Sequence, residues 1–284
     1  MKIIQQIDAL KSYALSCKKQ GKTIGLVPTM GYLHAGHQSL IRKSAAENDI
    51  TIVSIFVNPT QFGVGEDFES YPRDLAHDTA AAEAAGASVI FHPTAEEMYP
   101  KGYHTYVNVQ EITSVLCGKS RPTHFQGVTT VVSKLFHISH ADRAYFGQKD
   151  AQQLAVIMRM ATDLNMDTII VPCPIVREPD GLAMSSRNTY LSAEERKQAL
   201  VLSQGLYAAE KLFADGERST AFLKETVRQK ILTAPLARID YVELLTYPEL
   251  TPCETVKSQC LLAVAVKFGT TRLIDNILLE VPEK

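Results

Sequence analysis

The chain has 284 residues, 45% of them apolar and 21% charged, with a formal net charge of −2. That is enough apolar material for one large or two modest cored domains, and it excludes a disordered chain. The charge excludes the global basic footprint of a nucleic-acid binder, and no local basic patch is evident, so no nucleic-acid partner is expected.

Residues 1–21 place apolar side chains at Ile3, Ile7, Leu10 and Ala14 between Gln, Asp and Lys. The spacing predicts an amphipathic helix rather than the continuous apolar core of a signal peptide. No stretch approaches the roughly 18 consecutive apolar residues of a membrane span. From residue 23 to about 175, short apolar runs (23–28, 50–57, 87–93, 143–147 and 168–174) alternate with helical patterns at 36–48, 74–85, 128–137 and 150–164. Such alternation predicts a parallel sheet covered on both faces, an α/β doubly wound, Rossmann-like domain over residues 1–178. After the segment "VREPDGLAMSSRNTYLS" the character changes. A helix is expected from Ser192, capped by "SAEE", to about Ala214, a second over 219–232, then strands at 239–247, 260–268 and 273–279. Residues 179–284 are therefore expected to form a smaller α+β lid domain with an antiparallel sheet, hinged near Pro179 to Gly181. Five cysteines, Cys17, Cys117, Cys173, Cys253 and Cys260, are scattered and lack a C-x-x-C pair. They argue against a disulfide framework or zinc site and fit a reducing compartment, so the chain is expected in the cytoplasm.

Four polar clusters fall at expected strand ends or between the domains. The first, "PTMGYLHAGHQSL", puts Gly31, His34, Gly36 and His37 where a strand turns into a helix, a place whose free N–H groups and dipole suit a phosphate. Two imidazoles there could stabilise charge growing on a phosphate. On spacing alone a chance pair of surface histidines fits equally, and half of a metal site fits less well, because no Glu or third ligand accompanies the pair. The second, "FVNPTQFG", places the amides of Asn58 and Gln61 at the next strand end, where they could pair with hydroxyl and carboxylate groups or could be turn chemistry. The third, "YFGQKDAQQL", puts Lys149 in the first turn of a helix, where a cation opposes the dipole unless an anion compensates. Asp150 is an N-cap candidate there, and Gln153 lies one turn beyond Lys149. The fourth, "GLAMSSRN", offers Ser185, Ser186 and Arg187, which could close over phosphates. Together the clusters describe one nucleotide crevice better than four accidents, and they do not identify the substrate.

The first cluster resembles the His-x-Gly-His element of the adenylate-forming nucleotidyltransferases. With "VNPTQFG", "YPRDLAHD", "YFGQKDAQQL" and "MSSRN" in this order, the chain is similar nearly end to end to the pantothenate synthetase (pantoate–β-alanine ligase) family. That resemblance implies ATP-dependent joining of pantoate and β-alanine through a pantoyl adenylate. Carried over by position, it implies ATP contacts at Met30, Gly31, Tyr32, Leu33, His34, Ala35, Gly36, His37, Gly147, Gln148, Lys149, Asp150, Val176, Met184, Ser185, Ser186 and Arg187. Pantoate contacts fall on Gln61 and Gln153, and β-alanine on Gln61. His37 matches the catalytic acid, His34 and Lys149 the phosphate stabilisers, and Asp78 a carboxylate associated with Mg2+. Gln148 stands where the family often has Glu. A homodimer is the family expectation. Two other functions use the same nucleotide crevice: a nucleotidyltransferase acting on another small acceptor, and a sensor that binds ATP without turnover. The neutral amides of Gln61 and Gln153 suit a hydroxy acid better than a doubly charged phosphate ester.

Overall fold

The structure, a computed structural model, describes residues 1–63 and 65–281. It divides into two compact units, residues 1–148 with 156–174, and residues 149–155 with 175–284.

The first unit is a six-stranded, wholly parallel sheet with its crossover helices. In chain order its elements are β1 (Lys2–Ile4), α1 (Ile7–Lys19), β2 (Ile24–Thr29), α2 (Ala35–Glu47), β3 (Ile50–Ile55), α3 (Leu75–Ala84), β4 (Val89–Phe91), α4 (Ala95–Met98), α5 (Leu116–Ser120), α6 (His124–Ser139), β5 (Arg143–Gly147), the part of α7 (Ala151–Asp163) from residue 156 onward, and β6 (Ile169–Cys173). The strand order is β1-β4-β3-β2-β5-β6. All six residues of β3 are buried, as the unbroken β-branched run requires of a strand covered on both faces. Leu40 and Ile41 of α2, Ala81 and Ala82 of α3 and its C-cap Ala85 pack with Val27, Val53, Ile55, Ile90 and Tyr145 of the sheet. The Rossmann-like expectation is met. The amphipathic pattern at the N-terminus is a helix only from Ile7, because Lys2–Ile4 pairs with Val89–Phe91 as an edge strand.

The first crossover from β2, through α2, leads to β3 on one side, whereas β5 pairs with β2 on the other. The strand order therefore reverses between β2 and β5, the point at which such sheets bind ligands beyond their carboxyl ends.

The second unit holds α8 (Ala193–Gln198), α9 (Val201–Ala214), α10 (Thr220–Leu232) and an antiparallel sheet of β7 (Ala237–Thr246), β8 (Cys260–Phe268) and β9 (Thr271–Leu279). Its core joins Leu202, Leu206, Leu223, Val227 and Ile231 to Val242, Leu262, Val264 and Val266. The helix expected to run unbroken from Ser192 to Ala214 is two helices, because Ala199 and Leu200 close α8 before α9 begins. Ser192 caps α8 with the reciprocal Glu195 contact that "SAEE" foretold.

Candidate functional site

The loop after β2 turns through two consecutive left-handed residues, Gly31 (φ +88°) and Tyr32 (φ +52°). That conformation aligns the N–H groups of Tyr32 and Leu33, and both donate to the Asp78 carboxylate of α3, at 2.9 and 2.6 Å. Consecutive N–H groups of this kind form an anion nest, and here a carboxylate of the same chain fills it. Gly31 is required twice over: its φ is left-handed, and a Cβ would lie 2.8 Å from Asp78 Oδ2 and 3.0 Å from Ile55 Cγ2.

His34 and His37 then cap α2 reciprocally. His34 Nδ1 accepts from Gly36 N–H at 3.1 Å, and His37 Nδ1 accepts from His34 N–H at 3.3 Å, with the ring centroids 4.1 Å apart and the planes tilted by 38°. An Nδ1 that accepts carries no proton, so in this arrangement each ring bears its proton on Nε2 and offers that N–H as its donor. The pair is therefore not a chance pair of surface histidines: it is a reciprocal helix cap at the start of α2.

Asp78 is fully buried and, besides the two backbone groups, contacts His77 Nδ1 at 3.3 Å. Among the described residues, no group of three or more His, Cys, Asp or Glu is placed to hold a metal ion. The residues present do not fit a resident magnesium ion, and the observed role of Asp78 is to hold the loop of residues 31–33.

Asn58 opens a tight 3-10 turn over Pro59–Gln61 at the end of β3, its side chain accepting from Thr60 N–H. Asn58 is 1% and Gln61 8% exposed, so neither amide is ordinary surface turn chemistry. The Gln61 carbonyl is held by His124 Nδ1 at 2.9 Å and Arg121 Nη2 at 3.3 Å. Arg121 also forms a two-pronged pair with Glu66, at 2.6 and 2.5 Å. Burial alone would raise the Glu66 carboxyl, but the hydrogen bonds and charge of Arg121 outweigh it and hold it below its ordinary value. Gly127 of α6 packs directly on the turn: a Cβ there would lie 2.5 Å from Thr60 O and 2.6 Å from Gln61 N and Cα. Gly127→Ala should therefore lower stability by about 1–3 kcal/mol, the usual cost of overpacking against backbone. A denaturant midpoint equal to wild type would refute the close approach.

Gly147 ends β5, and Gln148–Asp150 form a 3-10 turn before α7. Lys149 therefore lies just ahead of the helix rather than in its first turn. In the second unit, its carbonyl accepts from Asn276 Nδ2 at 2.9 Å. Gln153 is half-buried on α7, two residues from its start. Val176 accepts from Met184 N–H at 3.0 Å, and Arg177, paired with Asp275 at 2.6 and 2.9 Å, bridges to Ala183. Ser185 caps a 3-10 turn over Ser186–Tyr190, so the serine–arginine segment is ordered within its unit rather than a structureless linker. The expected hinge at Pro179 to Gly181 is the tip of this tied hairpin.

A family model described as pantoate-beta-alanine ligase matches residues 2–278. The chain belongs to the pantoate–β-alanine ligase family. A pantothenate synthetase of Acetivibrio thermocellus is 57% identical over 281 residues, covering 99% of this chain and 100% of the relative. One from Geobacter sulfurreducens is 57% identical over 98% of this chain and 99% of the relative. Among solved structures, a pantothenate synthetase from Thermus thermophilus superposes with a TM-score of 0.93 at 42% identity, covering 98% of this chain and 99% of the other. A pantoate-beta-alanine ligase from Francisella tularensis, complexed with beta-gamma ATP and beta-alanine, has a TM-score of 0.81 at 35% identity over 98% and 97% of the two chains.

For a ligase of this family the sequence reading missed Thr60, Tyr99, Arg121, His124 and Gly127. They stand behind Asn58 and Gln61 but lie up to 69 residues away in the chain. No local pattern announces Tyr99, Arg121, His124 and Gly127, because their links to Asn58 and Gln61 exist only once distant segments are packed on the turn.

Proposed function

We propose that this chain joins pantoate to β-alanine at the expense of ATP, releasing AMP and pyrophosphate, and so makes pantothenate. The observation that carries this reading is the family match across residues 2–278. In the first step an oxygen of the pantoate carboxylate attacks the α-phosphorus. The bond from that phosphorus to the β-phosphate oxygen breaks, and its electron pair leaves with pyrophosphate. In the second, the β-alanine amine attacks the acyl carbon, AMP departs with the electron pair of the C–O bond, and the amine loses a proton. A carboxylate is a poor electrophile, and the acyl phosphate supplies the leaving group it lacks. The protein's work is to position the reactants and to stabilise phosphate charge.

Within that reading the Nε2–H groups of His34 and His37 face the growing phosphate charge, with His37 as the proton donor. The backbone from Met30 to Gly36, with Gly147 and Gln148, contacts ATP. Lys149, Asp150, Val176 and Met184 to Arg187 are assigned to ATP as well, with Lys149 a phosphate stabiliser. Gln61 and Gln153 contact pantoate, and Gln61 β-alanine. Magnesium arrives with the triphosphate as part of the substrate, which is consistent with the commitment of Asp78 to the loop. No helix among the described residues is long and apolar enough to cross a membrane, and we place the enzyme in the cytoplasm as a homodimer.

Phosphorus NMR of the protein with Mg-ATP and pantoate, before and after β-alanine is added, tests the reaction. AMP and pyrophosphate should accumulate steadily only when both acids are present. ATP left intact, or consumed only with another acceptor, would overturn the assignment.

A further inference from the structure

The buried groups behind Gln61 decide which end of that amide is presented to a ligand. Thr60 N–H can only donate, and it lies 3.3 Å from the Asn58 side chain, so the Asn58 atom it meets is Oδ1. Gly127 C=O can only accept, and at 3.1 Å it meets Asn58 Nδ2. The two rotatable hydroxyls beside Oδ1, those of Tyr99 and Thr60, therefore both donate to it, each at 2.9 Å. Asn58 Nδ2 spends its second hydrogen on Gln61 at 3.2 Å, which makes the facing Gln61 atom Oε1. Gln61 Nε2 is left at the other end, 2.9 Å from Met30 Sδ. A thioether is a weak acceptor. A carboxylate or hydroxyl oxygen in its place is a far better one.

We propose that Tyr99 is a positioning residue whose hydroxyl, acting through Asn58, holds Gln61 with its NH2 group turned toward the carboxylate or hydroxyl oxygen of the hydroxy-acid substrate. The inference rests on the reading of Gln61 as a pantoate contact. The Tyr99 ring is itself pinned, edge-on to Tyr103 at 5.1 Å, tilted against Phe56 at 6.3 Å and beneath the Lys134 ammonium at 5.5 Å. Burial pushes the phenol up to about 12, so the hydroxyl keeps its proton and remains a donor throughout the neutral range. Without Tyr99 Oη, Asn58 Oδ1 keeps only the Thr60 donors. The Asn58 amide then has less to resist rotation, and Gln61 presents its carbonyl oxygen, which repels a carboxylate, for part of the time.

A double-mutant cycle tests this. Tyr99→Phe keeps the ring and its packing, and it should raise KM for pantoate by roughly three- to tenfold, the factor carried by one hydrogen bond of ordinary net strength. The KM for ATP and kcat should stay within about twofold of wild type. In the Gln61→Ala background the same substitution should add nothing, because the group it positions is gone. An equal factor in both backgrounds, or a parallel rise in KM for both substrates, would show that Tyr99 acts only through the fold and would overturn the inference. The reading of Gln61 is tested separately within the cycle: if Gln61→Ala alone leaves KM for pantoate unchanged, that reading fails first and the inference falls with it.

Discussion

His37→Asn should lower kcat by about 10²- to 10³-fold with little change in KM for any substrate. The factor is that of removing one preorganised donor from a charge that develops only in the transition state. Asparagine is the informative replacement because His37 has two separable duties. Its Nδ1 accepts the His34 N–H at the start of α2, and its Nε2 is the donor assigned to the phosphate. The amide oxygen of asparagine can take over the first duty, being placed near where Nδ1 was, but the side chain is too short for the second. The thermal midpoint should therefore stay close to wild type. His37→Ala loses the cap as well, and should cost a further ~0.5–2 kcal/mol of stability. If His37→Asn turns over within about threefold of wild type, the imidazole is only a cap and the catalytic assignment fails.

The second large effect is expected at Asp78. Asp78→Asn replaces one carboxylate oxygen with an NH2 group that must face a backbone N–H of Tyr32 or Leu33. One charge-assisted bond is lost, at about 1.5–3 kcal/mol, and a donor is left buried against a donor. For a unit of this size each kcal/mol moves the midpoint by about 2–4 °C, so a fall of at least several degrees is expected in a melt. Turnover should fall too, because the left-handed turn at Gly31 and Tyr32 leads directly into the two capping histidines. A metal-holding Asp78 predicts the opposite pattern: an unchanged midpoint and a steeper dependence of rate on magnesium concentration. Melts of the two proteins, followed by a magnesium titration of activity, distinguish the alternatives, and the second result would return Asp78 to the metal.

Much of the architecture is legible along the chain because it is written in local sterics. The apolar runs at 50–55, 143–147 and 169–173 and the helical periods between them are properties of neighbouring residues. The capping box at Ser192 is of the same kind. The family was legible in the same way: histidines separated by Ala35 and Gly36, with Gln61, Lys149 and the serine–arginine run in order, carry the resemblance without any structure. Tertiary structure decided matters of partnership instead. Lys2–Ile4 is a strand only because β4 offers an edge to pair with, and a three-residue run has no period of its own. Asp78 reads as a first-turn helix residue or a metal ligand until the loop 46 residues earlier delivers two N–H groups to it. The orientation of Gln61 depends on a hydroxyl 41 residues from Asn58 and a carbonyl 69 residues from it. Period and capping are set by a residue's immediate neighbours, whereas the use of a buried donor or acceptor is set by whichever distant group folding brings within about 3 Å. From this sequence alone one learns the family and the candidate site residues; how the groups around Gly31 and Gln61 are held is settled by the packing of α3 and α6.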